Sequence, residues 1–159
     1  MNSVRLRAVI DRTATARIQR LIRWHFVTHA TWDADRIWRR LLEVLPERQG
    51  VLIIDGTSFP KQGTHSVGVA RQYCGALGKI ANCQVAVTAA LWTGARAWLT
   101  GALLYLPKPW LEADPRAVAH VPARLSFQEK WRQALTLIRR ARAAGLQITA
   151  VLGVPISPE

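Results

Sequence analysis

Asp55 closes a run of four apolar residues, Val51, Leu52, Ile53 and Ile54, and Gly56 follows it directly. A carboxylate where a buried strand leaves its sheet has two readings. Asp-Gly is a frequent strand-ending pair, which would make the residue a plain turn former. Sheet ends are also where α/β proteins build metal and phosphoryl chemistry. Neighbouring residues exclude two phosphate chemistries. An aspartyl-phosphatase site needs a second Asp two positions on, where Thr57 stands. A glycine-rich phosphate loop needs a glycine six residues before Lys79 and a hydroxyl after it, where Tyr73 and Ile80 stand. His25 and His29 could share a helical face, but without HExxH or a further ligand metal binding is the minor reading. Cys74 and Cys83 match no zinc spacing and form no disulfide framework.

The elements that must position Asp55 follow from hydrophobic periodicity. Residues 14–24 read as a helix with Ile18, Leu21 and Ile22 on one face. A second helix is expected over 33–45, where Ile37, Leu41, Leu42 and Leu45 recur at helical spacing and acids open the first turn. Thr31 or Asp33 could cap it. From Val51 the pattern changes to strands. VLII (51–54) reads as a strand covered on both faces, and 66–75 as the next strand after the Pro60–Gly63 turn. In 82–92, Cys83, Val85, Val87, Ala89 and Leu91 alternate with smaller or polar residues, a clear period of two. Residues 97–107 continue the sheet to Pro107, which predicts an antiparallel meander. Pro109, Pro115 and Pro122 mark 108–127 as irregular. An amphipathic helix follows from Phe127, with Trp131, Ala134, Leu135, Ile138 and Ala141 as its inner stripe and Gly145 as its C-terminal cap. QITAVLGV (147–154) predicts a last strand, parallel to the first.

The chain of 159 residues is large enough to bury a core, and its composition, half hydrophobic and 20% charged, is that of a globular domain. Of its 22 basic residues, all but Lys61, Lys79, Lys108 and Lys130 are arginine, and the net charge is +12. Such an excess favours a polyanionic partner, because each neutralised phosphate releases counterions. Seven tryptophans are more often core or boundary anchors than base-stacking platforms. The N-terminus lacks the apolar core of a signal peptide, and no stretch approaches the ~18 apolar residues of a membrane span. A soluble cytoplasmic protein with no membrane partner is the expectation.

The block IDGTSFPKQGTHSVGVARQYCGALGKIANCQVAV, residues 54–87, closely resembles the start of the catalytic core in bacterial insertion-sequence transposases of the DDE endonuclease superfamily. Their pattern reads roughly Asp-Asp-Thr-Gly-Phe-Pro-Lys-Gln-Gly, then His-Ser-Val-Gly-Val-Ala-Arg-Gln-Tyr-Cys-Gly. A looser similarity extends through TWDADRIWRRLLEVLP, LYLPKPW and ALTLIRRARAAG, so it spans most of the chain. The resemblance implies an α/β, ribonuclease H-like mixed sheet: a three-strand meander, a helix, then a parallel strand beside the first. On it, residues 1–50 form an N-terminal helical region and 51–159 a partial catalytic core, incomplete at the C-terminus.

The chemistry the resemblance implies is transposition, with DNA strands cut and rejoined by two Mg²⁺ ions held between three carboxylates about 3.5–4 Å from metal to metal. Asp55 matches the first carboxylate and so the first metal ligand. Two neighbours depart from the pattern, Gly56 for an Asp and Ser58 for a Gly. The second carboxylate falls on or near Val154, VPISPE matches nothing in the family, and the third would lie beyond Glu159. Glu112, Asp114 and Glu129 stand at no matching position. The expected product is therefore a truncated transposase without catalysis. The alternative is a non-catalytic DNA-binding module or regulator of an intact transposase. Its partner is DNA at transposon ends, with Lys61, Arg71 and Lys79 in the best-matching block as the candidate contacts.

Overall fold

A computed structural model describes residues 33–112 and 120–153, together with Arg20, His25, His29 and Thr31. The chain separates into two compact units, Met1–Ala34 and Asp35–Glu159. In the first, the rings of His25 and His29 stack with centroids 4.3 Å apart. The helix expected over 14–24 lies outside the described residues.

The second unit is a mixed α/β layer. Its five strands are β1 (Gln49–Pro60), β2 (Ala70–Cys74), β3 (Lys79–Trp92), β4 (Ala97–Leu104) and β5 (Gln147–Gly153). Its helices are α1 (Ala34–Glu43) and α2 (Lys130–Ala143), with a 3₁₀ turn at Lys108–Leu111. Strand β3 pairs antiparallel with β1 along one edge and with β2 and β4, end to end, along the other. Strand β5 runs parallel to β1 on its far side. This order is compatible with a ribonuclease H-like fold. None of the helices among the described residues is long and apolar enough to cross a membrane.

The alternation read from β3 is the pattern the core uses. Cys83, Val85, Val87, Ala89 and Leu91 are all buried. Val87, Ala89 and Leu91 join Leu52 and Ile54 of β1 and Leu137 and Ala141 of α2 in the main cluster, each large side chain contributing about 1.5–3 kcal/mol. Two register slips are absorbed by threonines. Thr100 is the extra residue where β4 bulges against β3, and its hydroxyl donates to the Ala89 carbonyl at 3.1 Å. Thr149 plays the same part between β5 and β1, donating to the Gly50 carbonyl at 3.0 Å. Gly50 itself has no room for a side chain, since a Cβ there would collide with the Trp92 carbonyl.

Helix α2 ends as its sequence predicts. Gly145 has φ +81°, Leu146 N–H donates to the Ala141 carbonyl, and Gly145 N–H donates to that of Arg142. The Arg48 guanidinium then bonds the carbonyls of Leu42, near the end of α1, and Ala144, at the end of α2, placing one cation at the negative ends of two helices.

Three expectations need correction. The first strand does not end at Asp55: it runs on to Pro60, because β3 pairs with it as far as Pro60↔Cys83. The apolar run stops at Ile54, which pairs with Gly153, the last described residue of β5. The second strand is only the five residues of β2. The inner face of α2 keeps Ala134, Ile138 and Ala141 of the expected stripe but turns Trp131 and Leu135 outward. Gln133, Leu137 and Ala141 are buried, while Trp131 and Leu135 are 52% and 41% exposed. The Gln133 amide donates to the Leu104 carbonyl at 3.1 Å, which holds a polar residue inside, and Arg132 stacks over the outward Trp131 ring at 4.6 Å.

The corrected face has a measurable consequence. Leu137→Ala should lower the unfolding free energy by about 2–5 kcal/mol, since it opens a cavity against the sheet beside Gly101. Leu135→Ala should cost under about 1 kcal/mol. Urea unfolding of the two variants decides the matter, and the opposite ranking would restore the stripe through Leu135.

Candidate functional site

Asp55 sits midway along β1, one residue past the last β1–β5 pair and opposite Thr88 of β3. Alternation along β1 turns Leu52 and Ile54 into the core and puts Asp55 on the other face, half-buried. Its Oδ1 accepts the Gly56 N–H at 2.7 Å, which steers the carboxylate along the strand. The Thr88 hydroxyl donates to the Asp55 carbonyl at 3.2 Å and lies 3.2 Å from the Thr57 hydroxyl. Two hydroxyls therefore border the acid on its own face. Sequence reasoning missed both threonines: the period of two on β3 shows that Thr88 faces away from the core, but only the register shows that it faces Asp55.

Apolar side chains surround this polar group. Trp92, Leu99 and Leu104 pair, directly or through one intervening strand, with β1 residues of the Asp55 face, Phe59 of β1 lies on that face itself, and Leu152 of β5 pairs with Ile53. These five are 40–59% exposed.

Lys61, Arg71 and Lys79 are brought to one end of the sheet and all are exposed. Lys61 N–H donates to the Asn82 carbonyl at 2.9 Å, Arg71 is the register partner of Asn82, and Lys79 starts β3 opposite Cys74. Asp55 pairs with Thr88 further along the same strand, so the carboxylate and the three bases line one stretch of β3 without meeting. Glu112 is exposed, Glu129 precedes α2 and pairs with Arg132 at 3.4 Å, and Asp114 and Val154 lie outside the described residues. Among the described residues no group of three or more His, Cys, Asp or Glu could hold a metal ion. One carboxylate cannot offset the charge of two divalent ions, so the described residues do not by themselves fit a two-ion centre.

Residues 7–153 match the family model of the DDE superfamily endonucleases, and the chain belongs to that family. It is similar to a probable transposase for the insertion sequence element IS701 of Microchaete diplosiphon, with 33% identity over 135 residues. That match covers 80% of this chain but 32% of the relative, so the chain spans about a third of the length of that curated protein. No solved structure matches it.

Behind the basic end of the sheet lie the two cysteines, both fully buried. Cys74 Sγ lies 3.6 Å from the Ser58 hydroxyl, which also accepts the Ala76 N–H at 3.0 Å. Burial alone would raise the Cys74 thiol, but hydrogen bonds from Ser58, Cys83 and the backbone at Leu77 and Ala76 outweigh it and hold the group below its ordinary value. Burial pushes Cys83 up to about 11, helped by its neighbour Cys74. The sign follows from linkage. A raised thiol pKa favours the folded state fully below the unfolded value of about 8.5, and that contribution is lost as pH climbs through about 11. The lowered Cys74 works the other way, contributing above its unfolded value and losing this as pH falls. The ultraviolet thiolate absorbance of the folded chain should therefore rise in two separate steps, and Cys83→Ala should remove the upper one. A single joint step would contradict the split.

Proposed function

We propose that this chain is part of an insertion-sequence transposase. Residues 1–50 would form a helical region and 51–159 the opening portion of a ribonuclease H-like catalytic core, working on transposon-end DNA in the cytoplasm. In this reading Asp55 is the first carboxylate of the cutting site and a ligand of the Mg²⁺ that the family uses. The observation that carries it is the junction at Ile54↔Gly153. A parallel partner that kept register past Gly153 would bring its next residue beside Asp55, which is the geometry paired carboxylates need. This sequence has Val154 at that point. Among the described residues a single acid therefore stands where three are required, and in this reading the chain by itself does not cut DNA.

The partial core is supported by exposure. Val151 and Leu152 of β5 are 46% and 59% exposed, although they lie on opposite faces of a strand flanked by a buried one. A parallel strand open on both faces is rare outside a larger sheet, because such strands are ordinarily covered by helices. Further strands and helices of an intact core would cover it. The purified chain should accordingly melt broadly and aggregate on heating, and a sharp, reversible transition of the monomer would count against an incomplete core.

A second reading is favoured by charge. With +12 overall and Lys61, Arg71 and Lys79 exposed together, the chain is suited to act as a DNA-binding module that competes with, or regulates, an intact transposase. One assay separates these readings. The chain is mixed with duplexes ending in insertion-sequence terminal repeats, with Mg²⁺ or Mn²⁺ present. Binding that weakens steeply with salt, no strand nicking, and unchanged binding by Asp55→Ala are expected. Nicking that Asp55→Ala abolishes would overturn the inactivity, and no binding at about 50 mM salt would remove DNA as the partner.

A further inference from the structure

A cleft of about 620 Å³ lies against β2, within the range of about 300–1,000 Å³ usual for small-ligand sites. Arg71, Tyr73, Ile80, Tyr105, Lys108 and Lys130 line it, and no acidic residue is among the described residues that do. Two of its cations are held by aromatic faces. Lys130 Nζ sits over the Tyr105 ring at 4.8 Å and Lys108 Nζ over the Phe127 ring at 4.9 Å, while the two rings meet edge to face at 6.2 Å. The Phe127 ring positions the Lys108 ammonium group without cancelling its charge, as a carboxylate would. Burial lowers the Lys130 pKa. Facing each other across β2 and β3 at the cleft, Tyr73 and Ile80 are 52% and 61% exposed, which leaves an aromatic platform beside the cations.

We propose that this cleft binds one unpaired nucleotide of a DNA strand, its phosphate held by Arg71 and Lys108 and its base stacked on Tyr73. Cations that track phosphates beside an exposed aromatic side chain are the combination by which proteins hold single strands. The proposal rests on the reading that the chain handles transposon DNA, and it adds where a strand is gripped. Six residues of β3, from Thr88 opposite Asp55 to Asn82 opposite Arg71, separate the two places. At about 3.4 Å per residue that is about 20 Å, or about six base steps. The cleft therefore holds a nucleotide that flanks the cutting position.

The test is fluorescence anisotropy with a labelled single-stranded oligodeoxynucleotide, the same strand with one abasic position, and polyglutamate as competitor. Arg71→Ala and Lys108→Gln should weaken binding several-fold and each reduce the salt slope by about one phosphate contact. Tyr73→Ala should weaken binding of the intact strand about tenfold and erase its advantage over the abasic one, while Tyr73→Trp keeps both. Circular dichroism checks that each variant is folded, and Tyr73→Trp and Lys108→Gln keep the test decisive if Tyr73→Ala is not. Wild-type binding that ignores these substitutions, or that polyglutamate displaces as well as DNA does, overturns the cleft while leaving the DNA reading in place. Absence of any oligonucleotide binding by the wild type overturns both.

Discussion

Strand β1 is held on its two edges by partners of opposite direction and unequal length, and the rest of the Asp35–Glu159 unit is arranged around that constraint. The antiparallel partner β3 runs with it to Pro60, and the parallel partner β5 stops at Ile54. Parallel pairing needs a crossover, so α2 must lie on one face and return the chain to the same end of the sheet from which β1 starts. Leu137 and Ala141 reach the sheet from that helix, and Gly101 lets it come close: a Cβ there would meet the Leu137 side chain at 2.7 Å. Past Gly153, the last described residue of β5, β3 still fixes the backbone of β1, and Asp55 is the first residue of that stretch.

The same arrangement makes the sheet two-sided in an uneven way. The face toward α2 is closed by Leu52, Ile54, Val87 and Leu91, all at or below 3% exposure. On the Asp55 face the chain leaves Trp92, Leu99 and Leu152 substantially exposed. A carboxylate flanked by threonine hydroxyls in an otherwise apolar surface is an unusual choice for solubility, where charge would be distributed along the strand. A face of this kind suits cover by another surface.

Much of this was legible in the sequence because it rests on period and on local caps. Cys83 to Leu91 alternate in the sequence and alternate in burial. Gly145 was legible as a helix stop because only a left-handed residue completes that hydrogen-bonding pattern. Other features depend on contacts that no local pattern records. The face of α2 was misjudged because Gln133 reads as polar and therefore outward, whereas its Nε2 donates to the Leu104 carbonyl while its Oε1 is buried without a hydrogen-bond partner among the described residues. The end of β1 was misjudged because hydrophobicity reports burial, whereas pairing with β3 carries the strand on to Pro60. Asp55 was found by type and position, but Thr57 and Thr88 were not, since their meeting depends on register across 31 residues of chain. The Lys108–Phe127 and Lys130–Tyr105 pairs are of the same kind, assembled by a loop whose prolines mark it only as irregular.

Electrostatics decides how a basic protein can carry a cutting site at all. The positive excess draws in the phosphate backbone without regard to sequence, but it also repels the divalent ions that such chemistry uses. Local negative charge must outweigh that repulsion, and it can do so only when several carboxylates converge within a few ångströms. Asp55 alone has Gly56 N–H on one oxygen and two neutral hydroxyls near its backbone, so nothing in its surroundings adds to its charge. The bases at the β2 end of the sheet face no such threshold, because each cation–phosphate contact is favourable by itself. On the proposed reading, DNA affinity can therefore survive where the described residues bring one acid to the site, whereas cutting cannot.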